Sequence, residues 1–286
     1  MELIEQLTRF GIDPQSYLLL KAGLKPVIRT EVGQSIIPFS EKISRYSKIF
    51  ILVKRFDEYY DLELTEPLFY AYTSLSEELS YDTYEADMNQ DRKKLGKLLG
   101  YPDCCVDYYL KEMVKVSIER IIGPLLNTKT KPSFYCNSIF NFDSKVDGWD
   151  KIFLKGYEIC RLFLIRHMPC SFDCKESIKI GKKTLELLER ELPELAKEIV
   201  SALKRPVLYF DYFNWIVFDG EVQNNELQYK QVLPYKSLFP KDKLNIIKQG
   251  NRLEVLDDKI LISKDDKLIS NIDKEDKYKG VLIDFL

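Results

Sequence analysis

Two short stretches constrain this chain more than any other part of it: "LGYPDCCVDYY" at 99–109 and "RHMPCSFDCKES" at 166–177. Together they hold the single histidine, His167, and four of the six cysteines. Both follow one plan, a proline turn, then cysteine, then an amphipathic helical pattern. After the first, Val106, Tyr109, Leu110, Met113 and Val114 recur at helical spacing. After the second, Leu185, Leu188, Leu192, Leu195 and Ile199 do the same, and Pro193 kinks or divides that helix. A helix start carries unpaired N–H groups and a partial positive charge, and it favours a thiolate over a thiol. Two such starts would gather four sulfurs and one imidazole.

The local punctuation is explicit. Gly100 reads as the left-handed cap of a short helix marked by Leu95, Leu98 and Leu99, with Pro102 just beyond. Asp103 reads as the N-cap of the next helix, which runs until Gly123-Pro124 interrupts it. Ser171 reads as the cap of the helix after Cys174. Asp13 and Pro14 open a helix near the start of the chain.

Around these segments the texture changes twice. "KPVIRTEV", "KIFILVKRF" and "EPLFYAYTS" are short apolar or alternating runs that predict strands. After Pro206, "VLYFDYFNWIVFDGEV" predicts two strands around a tight turn. "NRLEVLDDKILISKDDKLI" predicts a hairpin turning at Asp257-Asp258. The expected fold is α+β. It comprises a mixed region over 1–74, a helical region with the Cys/His site over 75–205, and a small antiparallel β unit over 206–286.

With 286 residues the chain can bury a sizeable core. The 43 basic and 45 acidic residues leave a net charge of −2, which argues against a surface that grips nucleic acid all round. No apolar run reaches the ~20 residues of a membrane span, and the first residues are not a basic, apolar leader. A cytoplasmic protein is expected, in which cysteines serve metal binding, catalysis or burial. A Lys/Glu/Ile-rich composition leaves intracellular disulfides open, with Cys104–Cys170 or Cys105–Cys174 the pairs to consider.

The candidate metal ligands are Cys104, Cys105, His167, Cys170 and Cys174. Neighbouring side chains on a helix diverge, so adjacent Cys104 and Cys105 suit an iron–sulfur cluster better than one tetrahedral zinc. Cys105 and His167 are the candidate catalytic groups. Arg92, Lys93, Lys94 and Lys97 could attract an anionic substrate, a nucleotide or RNA, although such groups more often form a solvated face. Cys160 is expected in the core, and Cys136 is balanced between burial and ligation. Three functional readings follow. The first is an iron–sulfur enzyme doing reductive or sulfur-transfer chemistry on a nucleoside, RNA or small anionic metabolite. The second is a structural zinc module that binds a partner or RNA. The third is a metal-free thiol enzyme with Cys170 as nucleophile and His167 as base.

The motifs G-Y-P-x-C-C and H-x-P-C-S-x-x-C resemble a largely archaeal family catalogued only as a domain of unknown function. Gly100, Tyr101, Pro102, Cys104, Cys105, His167, Pro169, Cys170, Ser171 and Cys174 carry the resemblance. It implies an archaeal source and a shared site, and no activity. The vicinal cysteines are also loosely similar to those of epoxyqueuosine reductases and of the cysteine-rich domain of heterodisulfide reductases, which bind clusters.

Overall fold

A computed structural model describes residues 14–32, 49–55, 69–113, 121–139, 162–211, 214–233, 239–275 and 279–286. Its helices and antiparallel sheets make an α+β protein. The chain divides into two compact units. One is Met1–Val116 with Tyr157–Arg161 and Lys183–Glu191, and the other is Ser117–Gly156, Leu162–Lys182 and Leu192–Leu286.

The first unit is built on three strands. Helix α1 (Pro14–Lys21) precedes β1 (Val27–Val32), β2 (Phe50–Arg55) and β3 (Phe69–Ser74). β3 is central and pairs antiparallel with both others. Strand alternation sends neighbouring residues to opposite faces. Ile28, Val32, Ile51, Phe69 and Ala71 join Leu20 of α1 on one face. Val27, Leu52 and Tyr72 meet Leu99 on the other, with Leu79, Tyr84, Leu95 and Tyr101 packed against them. Each fully buried side chain of this size contributes about 1.5–3 kcal/mol. The second face is covered by α2 (Glu77–Met88) and α3 (Arg92–Leu98), whose N-caps are Ser76 and Asp91. A polar group interrupts that face. The carboxylate of Asp87 accepts hydrogen bonds from Arg29 and, at 2.7 Å, from the Tyr72 hydroxyl. Helix α4 (Asp103–Tyr108) follows and runs on as a π-helical turn over Tyr109–Met113. The longer continuation of this helix falls on residues 114–120, outside the described set.

In the second unit α5 (Ile122–Asn127) is followed by a 3₁₀ turn at Phe134–Cys136. Gly123-Pro124, expected to end a helix, lies in the first turn of α5, where proline costs no hydrogen bond. Helix α6 (Lys175–Glu191), of which residues 183–191 are counted with the first unit, stops at Leu192, and α7 (Pro193–Leu203) begins with Pro193 at its first position. The division expected at Pro193 is thus a clean break. Strands β4 (Val207–Asp211), β5 (Asn214–Gln223) and β6 (Glu226–Val232) come next. Helix α8 (Lys241–Gln249) separates them from β7 (Arg252–Val255), β8 (Lys259–Lys264), β9 (Lys267–Asp273) and β10 (Val281–Ile283). They form one antiparallel sheet in the order β10-β4-β5-β6-β7-β8-β9. Ile216, Phe218, Leu227, Leu253, Ile260 and Ile262 form its core with Ile247 of α8.

The hairpin at Asp257-Asp258 is present as β7–β8, closed by Leu256 N–H donating to the Lys259 carbonyl at 2.9 Å. The same stretch contains a further turn. Asp265 and Asp266 both take left-handed backbone, φ 50 and 62°, as do Asn224 and Asn225 between β5 and β6, φ 51 and 65°. Paired left-handed residues match the twist of a two-residue hairpin loop. That is why β8 folds back at once into β9.

Candidate metal centre

The first cysteine turn is shaped by its own chain. At the end of α3 the Gly100 N–H donates to the Lys97 carbonyl at 2.9 Å, and the Tyr101 N–H to the Gly96 carbonyl at 3.0 Å. This is the Schellman pairing, and it needs the left-handed Gly100, φ 78°. A Cβ on Gly100 would also stand 2.7 Å from Pro26 Cδ. Tyr101 then packs into the first unit's core, and Pro102 takes the N-cap position of α4. The cap expected of Asp103 is not formed. Asp103 is the first helical residue, and its carboxylate lies 3.4 Å from Lys97 Nζ. The proline turn already fixes the helix start, so the side chain is released to the surface. Cys104 and Cys105 occupy the next two positions, Cys104 exposed and Cys105 buried. Gly96 sets the crossing of α3 and α4, because a Cβ there would stand 2.7 Å from Val106 Cγ2. Sequence reasoning missed this glycine, and its only signal is a glycine in a helix otherwise made of good helix formers.

The second turn is shaped by a remote segment. The Asn127 side chain donates to the Cys170 carbonyl at 3.1 Å. The Phe172 N–H donates to Thr128 Oγ1 at 2.9 Å, and the Phe172 carbonyl accepts from the Ser133 N–H at 2.9 Å. Asp173 Oδ2 accepts from the N–H groups of Lys129 and Thr130 and from the Thr130 hydroxyl, at 3.0–3.1 Å. Cys136 Sγ donates to the Cys174 carbonyl at 3.8 Å. Ser171, expected to cap the helix with its side chain, instead bonds Asp173, and its carbonyl takes the Cys174 N–H at 3.1 Å. The helix therefore starts at Lys175, directly after Cys174. Below the turn Phe172 is fully buried and meets the Phe285 ring edge-on at 5.2 Å.

Two titrating groups register this packing. Burial pushes the Cys136 thiol far above its ordinary range, helped by Cys174, Cys170 and Asp173, so it stays a protonated donor. Partial burial pushes the Asp173 carboxyl up, but the bonds from Ser171, Lys129 and Thr130 outweigh it and hold the group below the ordinary aspartate value.

The sulfur atoms of Cys104, Cys105, Cys170 and Cys174 all lie within 4.8 Å of one another, a group that could hold a metal ion. Cys104 and Cys105 Sγ are 3.9 Å apart. The divergence expected of neighbours on a helix does not prevent them from sharing an ion. Cβ atoms on successive residues diverge, but χ1 remains open to each side chain, which permits the 3.9 Å approach of the two sulfurs. None of the four is in a disulfide, so no such bond joins Cys104 to Cys170 or Cys105 to Cys174.

The other candidates are placed differently. His167 is not in this sulfur group. It is buried, and its Nε2 lies 2.8 Å from Ser177 Oγ. Cys136, balanced in the sequence between burial and ligation, is fully buried, and its thiol donates to the Cys174 carbonyl. Cys160 lies outside the described residues. Lys93 pairs with Asp107 at 3.0 Å, Lys94 with Asp82 at 3.5 Å and Lys97 with Asp103 at 3.4 Å. Arg92 opens α3 on the exposed side. Among the described residues no helix is long and apolar enough to cross a membrane.

With this geometry in place, comparison with protein families gives a match. Residues 80–199 match the family described as "Protein of unknown function (DUF483)". This is a family catalogued only as a domain of unknown function, as the resemblance implied, and the matched residues include both cysteine turns. No curated protein and no solved structure matches the chain.

Proposed function

We propose that Cys104, Cys105, Cys170 and Cys174 hold a single metal ion, best suited to zinc, as a closed four-thiolate structural centre. The observation that supports it is the spacing of the sulfurs, all within 4.8 Å. A tetrahedral ion with metal–sulfur bonds of about 2.3 Å sets its ligands about 3.8 Å apart, close to the 3.9 Å between Cys104 and Cys105. An iron–sulfur cube interposes iron and sulfide and sets the cysteine sulfurs roughly 6 Å apart. The spacing therefore favours one ion over the cluster expected from the sequence. Four thiolates also fill a tetrahedral ion, whereas catalytic sites keep one position for water or substrate.

A second reading keeps the enzyme. Cys104 is the exposed member of the set and the ligand placed to leave, which would open one position for an anionic metabolite, nucleoside or RNA. The basic residues of α3 lend that reading little, since Lys93, Lys94 and Lys97 face carboxylates.

The test is to purify the protein without oxygen and measure zinc, iron and acid-labile sulfide, then replace the metal with cobalt. About one ion per chain without sulfide, and a tetrahedral cobalt–thiolate spectrum, is expected. Cys105→Ala should lose stoichiometric binding, because a buried ligand has no substitute; structural zinc is worth roughly 10 kcal/mol or more at neutral pH. Iron with equimolar sulfide would replace the single ion by a cluster, and protein that binds no metal would overturn the centre altogether.

A further inference from the structure

Each residue of the Cys170–Cys174 turn is tied, directly or through its neighbour, to the segment 127–136. Cys170 is held through its carbonyl by Asn127, and Phe172 through both backbone groups by Thr128 and Ser133. Cys174 is held through its carbonyl by Cys136. Asp173 is the hub. One carboxylate oxygen collects two N–H groups and one hydroxyl from Lys129 and Thr130, and the Ser171 hydroxyl bonds the same side chain. None of these bonds uses a sulfur as acceptor, so all of them are available whether or not the thiolates carry a metal.

Resting on the metal-centre reading, we infer that Asp173 is a positioning residue: through the 127–136 strap it holds the Cys170–Cys174 turn in its ligating shape before metal arrives. It touches no metal itself. Its effect is to remove the ordering cost that a free turn would charge against binding, as groups behind metal ligands do elsewhere. A carboxylate suits the place because a single oxygen can accept several donors at once.

The experiment measures cobalt and zinc affinity by chelator competition in full-length wild type, Asp173→Ala, Asp173→Asn and Asn127→Ala. Asp173→Ala should bind metal about 10–100-fold more weakly, the range for residues behind metal ligands. Its cobalt–thiolate spectrum at saturation should be unchanged, since the four sulfurs remain. Asp173→Asn keeps an acceptor oxygen and should recover most of the affinity. Asn127→Ala loses one bond to the Cys170 carbonyl and should weaken binding about fivefold. Should Asp173→Ala fail to fold, Asn127→Ala, an exposed change, carries the test. Wild-type affinity in Asp173→Ala or Asn127→Ala, even with lowered stability, overturns the inference and leaves the metal centre standing. Wild type that takes up no cobalt overturns both.

Discussion

The two cysteine turns look alike as text and are made by different physics. Around Cys104 and Cys105 the shape is local: a left-handed Gly100, a rigid Pro102, and a glycine–valine approach between consecutive helices. Around Cys170 and Cys174 the shape is borrowed, from a strap some 40 residues earlier and from Phe285 beneath. A local turn is stored in backbone preferences and survives most changes elsewhere. A borrowed turn is only as good as the distant segment that supplies its hydrogen bonds.

That contrast can be broken at its centre. Phe172→Ala removes a fully buried ring from under the second turn and should cost about 3–5 kcal/mol in urea unfolding. Gly100→Ala should cost less, about 1–3 kcal/mol, combining left-handed backbone with the approach to Pro26. Gly23→Ala is its control: φ is 68°, yet nothing lies within 4 Å, so only the backbone cost of about 1 kcal/mol remains. If Gly100→Ala proves costlier than Phe172→Ala, the first turn is the more dependent of the two. The smallest effect concerns Asp284, beside Phe285. Burial raises its carboxyl above the ordinary aspartate value, with Lys131 pulling the other way. A raised acid binds more protons folded than unfolded, so stability falls as pH rises from the unfolded value through the folded one. Asp284→Asn should therefore raise the melting temperature slightly at pH 7 and lose that advantage below about pH 4. An equal advantage at both pH values would remove the carboxyl's charge from the explanation.

The same division explains what was legible in the sequence. The strands of the first unit, the break at Pro193, the Gly100 cap and the β7–β8 hairpin follow from spacing and turn residues, and all are present. The cysteines were legible as a group because both motifs open helices. The role of Asp173 was not, since an aspartate in a turn reads as solvated until Lys129 and Thr130 are placed beside it. Neither the Asp103 cap nor the Ser171 cap is formed: Pro102 already holds the N-cap position before the first cysteines, and the Ser171 hydroxyl bonds Asp173 two residues on. Cys105 was read as diverging from Cys104 because helix geometry fixes Cβ directions and leaves χ1 open.

The strap also sets an order of events. Residues 132–134 exchange backbone hydrogen bonds with Leu286, whose N–H donates to the Pro132 carbonyl at 2.9 Å and whose carbonyl accepts from Phe134 at 3.1 Å. Closing so long a loop is an entropic step that a growing chain cannot take until the last strand exists. During synthesis the Cys104 turn is complete while the seat of Cys170 and Cys174 still awaits its foundation. On the proposed metal centre, capture by all four sulfurs would then be a late event, a report that the β-sheet unit has finished folding.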